Sequence, residues 1–327
     1  MKKILLIYFL SFHAISELTL EITQGTEDPY RVAIIKFSGA DKATTDIQKV
    51  VFDNLLRTGE FTIFNNEDLL SIPQIEEDIV FNDFRILDID YLVMGKVEDD
   101  GLNIAVEYQV FDISKAKKIR TSTVYGIPNK NRQLAHYVSD GIYQEITGIP
   151  GIASTKILYV TEDNNFKLLI SDADGSNEQV LLESTEPIIS PSWSPDSKKV
   201  AYVSFETGIA KVYIQDIASG NREVAVENSS QISSPAWSPD GKFLSLTMYQ
   251  DGNAEIYILN LKNKNLTRLT NHYAIDTEST WSPKGSKIMF TSGRSGSPQL
   301  YELDLKKFNS RPKSCLLYTS DAADEAI

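Results

Sequence analysis

The chain has 327 residues, 42% of them hydrophobic and 10% aromatic, enough for two domains with cores of their own. Its formal net charge of −13 argues against a reader of nucleic-acid phosphates and against an electrostatic hold on anionic lipid, both of which need clustered Lys and Arg. Such a charge favours a partner surface that is basic or mixed, and no nucleic acid is expected.

Residues 1–16 read as a cleavable export signal. Lys2 and Lys3 give a positive start, residues 4–12 are apolar, and Ala14 and Ser16 occupy the −3 and −1 places of a cleavage site, leaving Glu17 as the mature start. The apolar run is shorter than the ~20 residues that a permanent helical span takes. No other run reaches that length, so no membrane span is expected in the mature chain. The one cysteine, Cys315, cannot close an internal disulfide, which for an exported chain fits a bacterial periplasm.

Residues 17–148 predict a small α/β domain. Residues 18–23 (LTLEIT) alternate as a strand, and residues 31–37 (RVAIIKF) form a near-continuous apolar run typical of a buried one. A helix follows, with Ile47, Val50, Val51 and Leu55 on one face, Thr45 and Gln48 placed for a capping box, and Gly59 as the stop. Residues 61–64, 91–97, 102–112 and 117–125 read as strands. A last helix carries Leu134, Val138, Ile142 and Ile146 on one stripe and ends near Gly148. Residues 149–154, with Pro150 and Gly151, read as a linker.

From residue 155 to 307 the chain repeats itself. Trp193, Trp237 and Trp281 stand 44 residues apart, as do Tyr213, Tyr257 and Tyr301, and Gly208, Gly252 and Gly296. Each unit has a Ser-Pro-Asp/Lys-Ser/Gly turn, a strand, a glycine turn, a second strand and a short third one. With the tryptophan strand this makes four short antiparallel strands, the content of a β-propeller blade. A worn copy precedes the first tryptophan, where residues 168–174 match 212–218. Four partial units begin near residues 155, 191, 235 and 279. Residues 308–327 show no continuation and no outer strand, and read as a non-repeat tail foreign to the fold on a truncated chain; the alternative is a four-bladed ring with an unusual tail.

The export signal, the ELTLEITQG start, the HYVSDGIYQEITGIPGIASTKILYV passage and the WSPDG-type units together resemble the TolB family, periplasmic components of the Tol-Pal system of Gram-negative bacteria. The similarity runs from about Glu17 to Leu305. It implies a non-enzymatic scaffold without cofactor, whose propeller has six blades in the family against about four partial ones here. It implies binding of the lipoprotein Pal at one mouth of the propeller and of TolA through the mature N-terminus, support of outer-membrane integrity and of constriction at division, and exploitation by colicins for uptake.

The loops leading into the tryptophan strands, residues 186–190, 230–234 and 272–279, are expected at that mouth. His272, Tyr273, Ile275, Asp276, Thr277 and Glu278, with Gln231 and Ser233, are the candidate Pal contacts; read without the resemblance, the third loop is equally a solvated turn. Glu17, Leu18, Thr19, Leu20, Glu21 and Ile22 either complete the small domain's sheet or, as the resemblance implies, detach and add to a TolA strand. Residues 172–178 read as a hairpin turn and not a calcium loop, His136 reads as structural, and no metal site is expected. WSPDG units also resemble the propeller of prolyl-oligopeptidase-type peptidases, but no nucleophile elbow or Walker pattern occurs. A ligand-binding periplasmic propeller is the third alternative.

Overall fold

The structure, a computed structural model, describes residues 28–39, 46–227, 231–306 and 309–312. The export signal, residues 17–22, Thr45, Ser230 and the chain beyond residue 312 lie outside the described residues. The described residues fall into two compact units, divided between Ala153 and Ser154. Among the described residues no helix is long and apolar enough to cross a membrane.

In the first unit β1 (Tyr30–Ile34), α1 (Ile47–Arg57), β2 (Phe61–Phe64), α2 (Phe81–Ile86), β3 (Tyr91–Asp99), β4 (Ile104–Asp112), β5 (Lys117–Gly126) and α3 (Asn131–Thr147) follow in order. They build a five-stranded sheet of order β2-β1-β3-β4-β5. β1 runs parallel to β2 and β3, and β3, β4 and β5 form an antiparallel meander. Val32 and Ile34 face a core that includes Val51 and Leu55 of α1 and Leu134, Val138 and Ile142 of α3. Ala33 and Ile35 face the other way, onto Phe84, Leu92, Met94 and Phe111. A strand buried on both faces cannot alternate, which is why residues 31–37 read as one apolar run.

Two expectations change here. Asp46 caps α1, its carboxylate accepting from the Lys49 N–H at 3.0 Å, and Gln48 instead donates to the Ile34 carbonyl at 3.1 Å. The short side chain nearest the helix start takes the cap, so the box expected of Thr45 and Gln48 is replaced. The short helix α2 and the 3-10 turns Asn66–Asp68 and Glu76–Asp78 were not anticipated. Each is too brief to show a period, and α2 buries only Phe84. His136 lies buried on α3, its Nδ1 2.9 Å from the Asn54 amide.

The second unit is a run of four sheets in the arrangement of a partial propeller. The first has three strands, β6 (Lys156–Glu162), β7 (Phe166–Asp172) and β8 (Gln179–Ser184). The next holds β9 (Ile188–Trp193), β10 (Lys199–Ser204), β11 (Lys211–Asp216) and β12 (Arg222–Glu227). The third holds β13 (Ile232–Trp237), β14 (Phe243–Gln250), β15 (Asn253–Asn260) and β16 (Leu266–Arg268). The last holds β17 (Asp276–Trp281), β18 (Lys287–Ser292), β19 (Gln299–Asp304) and β20 (Asn309–Pro312). β20 corrects the expectation of no outer strand. Asn309 pairs with Asp304 and Pro312 with Tyr301. Outer-strand pairing asks only for backbone groups, and Asn-Ser-Arg-Pro offers neither alternation nor β-branched residues by which to read it.

The cores lie between sheets. Val203, Val212 and Ile214 pack with Leu244, Leu246, Met248 and Leu259, and Ile256 packs with Ile288, Phe290 and Leu303. The tryptophan strands β9, β13 and β17 are neighbours from sheet to sheet. Trp281 donates its indole N–H to the Ala236 carbonyl at 3.1 Å and stacks on Phe243, both in the preceding sheet. Each repeated turn is closed by its serine. The Ser238 hydroxyl meets Asp240 at 2.7 Å and accepts from the Phe243 N–H at 2.9 Å, and the Ser194 hydroxyl does the same with Asp196 and Lys199. Gly208, Gly252 and Gly296 share φ values of 83°, 85° and 99°, a region where only glycine is unstrained.

Asp112, at the end of β4, shows how the first unit holds a buried charge. Burial pushes its carboxyl up, but bonds from Lys115 (ammonium and backbone N–H) and the Ser114 hydroxyl outweigh that and bring it down to about 2. A carboxyl depressed in the folded state stabilises it above its unfolded value and loses that contribution as pH falls through the folded value. Asp112→Asn should therefore lose about 1–2 kcal/mol at neutral pH. The difference from wild type, read by urea denaturation, should shrink as pH falls from about 4 to about 2.

Candidate functional site

One end of the second unit gathers the starts of β13 and β17, the segment 269–275 that leads into β17, and the hairpins that join the second and third strands. The hairpins are tied to the inner strands by backbone bonds, Phe205 N–H to Pro187, Tyr249 N–H to Gln231 and Gly293 N–H to Ile275. The sequence placed its candidates in loops; the structure moves several into strands. β9, β13 and β17 begin at Ile188, Ile232 and Asp276, so Asp276, Thr277, Glu278 and Ser233 are strand residues. Inner-strand pairing needs only a few residues of extended backbone, and polar side chains there hid it.

Each inner strand is also broken by a bulge. Pairing slips between Ser233 and Ala236 and between Thr277 and Thr280, with a matching slip opposite β9 at Ala201–Val203. At each slip a non-glycine residue takes the left-handed conformation, Ser190 and Ser234 at φ 53° and Glu278 at φ 56°. Bulges re-aim side chains and favour functional rims.

The candidates have different environments. Tyr273 is 86% exposed and Ile275 56%, whereas Asp276 is fully buried. His272 lies against Tyr273, ring centroids 4.3 Å apart. Ser233 stands opposite Thr247 in the ladder, and the Thr247 hydroxyl lies 3.5 Å from that of Thr277 and accepts from the Glu278 N–H at 3.2 Å. The Thr247 side chain thus joins Thr277 and Glu278, while its backbone pairs with Ser233. Gln231 is exposed on the rim. Residues 17–22 lie outside the described residues.

Asp276 is held by Arg294, whose Nη2 meets Oδ2 at 2.5 Å. The same guanidinium lies over the rings of Tyr301 and Phe290, at 4.9 and 5.3 Å. Sequence reading missed Arg294, and also the exposed apolar Tyr249 and Ile209 on the neighbouring hairpins. The signal was present: the hairpin glycines Gly208 and Gly252 mark where those residues stand.

The fold and this rim define a class, an α/β domain followed by a β-propeller that presents loops and bulged strands at one mouth. Family models match in the same order, the TolB amino-terminal domain over residues 18–119 and the TolB beta propeller domain over residues 143–316. The chain is 44% identical over 197 residues to the Tol-Pal system protein TolB of Alcanivorax borkumensis, covering 58% of this chain and 45% of that one. It is 40% identical over 202 residues to that of Alkalilimnicola ehrlichii, covering 59% and 47%. The chain thus spans about half the length of these relatives. The crystal structure of TolB from Acinetobacter baumannii superposes with a TM-score of 0.83 at 34% identity, covering 90% of this chain and 74% of that one. The chain belongs to the TolB family.

The Asp276–Arg294 pair departs from the repeat in a way that can be measured. One and two units earlier, the place of Asp276 is held by Ile232 and Ile188, both buried. Removing one partner of a buried pair strands the other charge, so Arg294→Met should cost about 3–5 kcal/mol. Adding Asp276→Ile should recover most of that loss. Urea midpoints of the single and double variants check both statements.

Proposed function

We propose that this chain is a non-enzymatic periplasmic scaffold of a Tol-Pal system, binding Pal at the propeller rim and TolA through residues 17–22. Membership of the TolB family supports the system. The observation that carries the Pal contact is the rim itself, where Tyr273 and Ile275 stand exposed beside His272 on an ordered frame. A rigid aromatic residue with a polar edge is the kind of group that anchors protein interfaces, because little conformational freedom is lost on binding. Tyr249 and Ile209 extend the apolar surface on the adjoining hairpins, and Glu278, Gln231 and Ser233 supply a polar margin.

For TolA, the support is the alternating pattern of residues 18–23 and the family-model match that begins at residue 18. An extended segment of that kind adds to a partner's sheet through backbone hydrogen bonds. In this reading the scaffold joins an inner-membrane protein to an outer-membrane lipoprotein and so supports envelope integrity and constriction at division.

Two variants of the full chain test the two contacts apart. Tyr273→Ala should weaken binding of the purified Pal periplasmic domain at least ~10-fold in Kd, by calorimetry, while leaving TolA binding unchanged. Deletion of residues 17–22 should abolish TolA binding and leave the unfolding midpoint in place. Undiminished affinity of either variant for its partner would remove the corresponding contact from the proposal.

A further inference from the structure

The segment 270–275 has no ladder of its own; beside backbone bonds at its two ends, Thr270 N–H to Ile256 and Gly293 N–H to Ile275, its middle is met by side chains. Glu255, on β15, is only 1% exposed. Its Oε1 accepts from the His272 backbone N–H at 2.7 Å and from Arg268 Nη2 at 2.9 Å, and its Oε2 accepts from the Thr270 hydroxyl at 2.5 Å. Arg268 also donates through Nε to the Thr270 carbonyl at 2.8 Å and through Nη2 to Asn271 Oδ1 at 3.1 Å. Asn253 donates its amide to the carbonyls of His272 at 2.5 Å and Ala274 at 3.0 Å. The Ala274 N–H reaches back to His272 Nδ1 at 3.1 Å. The segment is thereby fixed around a buried carboxylate, with Tyr273 projecting from its apex.

A buried carboxylate is costly unless paired and hydrogen-bonded, so a fully satisfied one marks a conformation the fold holds firmly. The repeat isolates this one further. The positions 44 residues before and after Glu255 are Lys211 and Gln299, those of Asn253 are Ile209 and Ser297, and one unit before Thr270 stands Val226. The blade carrying the exposed tyrosine is the blade carrying the network.

We infer that Glu255 is a positioning residue, whose carboxylate sets the 270–275 segment and with it the pose of Tyr273. Its effect on binding rests on the Pal contact proposed above; its effect on the segment does not. Ordering a contact residue before the partner arrives lowers the entropy lost on association, so the network raises affinity without touching the partner.

Glu255→Gln keeps the volume and removes the charge, and a second variant, Asn253→Ala, removes the other anchor without altering charge. In the full chain, amide hydrogen exchange at His272 and Ala274 should speed up at least ~10-fold in either variant, with Leu244 and Leu246 of β14 within ~2-fold of wild type. The Kd for the purified Pal periplasmic domain should rise ~10-fold. Unchanged exchange at His272 overturns the inference. So does acceleration shared equally by β14, which marks a general loss of stability. If the segment loosens locally and Tyr273→Ala weakens Pal binding, yet Glu255→Gln does not, the positioning role in binding is overturned while the contact stands. If Tyr273→Ala has no effect and the segment still loosens, the Pal contact falls and the structural role of Glu255 is upheld.

Discussion

A short sheet with two apolar faces has nowhere to put them except against another sheet. Every repeat of this chain is governed by that need. Val203 and Val212 of one sheet are buried together with Leu244 and Leu246 of the next, and Ile256 of that sheet with Ile288 and Phe290 of the last. Trp281 belongs to the same constraint, since it is bonded to and stacked on the sheet before its own. Ion pairs between sheets add little by comparison. Lys264 and Glu223 meet at 3.3 Å with both side chains about half exposed, where such a pair contributes at most about 1 kcal/mol.

Once stacking fixes the frame, the rim is free to differ from blade to blade. The same register position is a buried isoleucine at 188 and 232 and an aspartate paired with Arg294 at 276. The same step of the third strand holds Lys211, Glu255 and Gln299, and Glu255 gathers a neighbouring segment around itself. Departures from the repeat concentrate in the unit that displays Tyr273 and Ile275. A charged group inside a packed frame persists where its partners are built around it, and both carboxylates have an arginine beside them.

What could be read from the sequence was whatever leaves a periodic mark. The 44-residue spacing gave the blades, the Ser-Pro turns and the glycine hairpins, because packing and positive φ restrict residue type at fixed intervals. The apolar run at residues 31–37 announced a doubly buried strand, and the stripe from Leu134 to Ile146 announced α3. Backbone pairing leaves no such mark. β20 was invisible in Asn-Ser-Arg-Pro, and the starts of β13 and β17 were read as loops because Ser233, Asp276 and Thr277 are polar. At the rim, Tyr273 was legible as an exposed aromatic in a polar stretch. Arg294 and Glu255 were not, since each gains its meaning from a residue some fifteen to twenty positions away.

The left-handed residue in each inner strand separates backbone from display. Two serines and a glutamate, Ser190, Ser234 and Glu278, occupy one dihedral basin within a few degrees, although their side chains have little in common. At this step the modules share a torsion and differ in side-chain chemistry. A side-chain change that keeps this torsion alters what the rim displays and leaves the bulge in place.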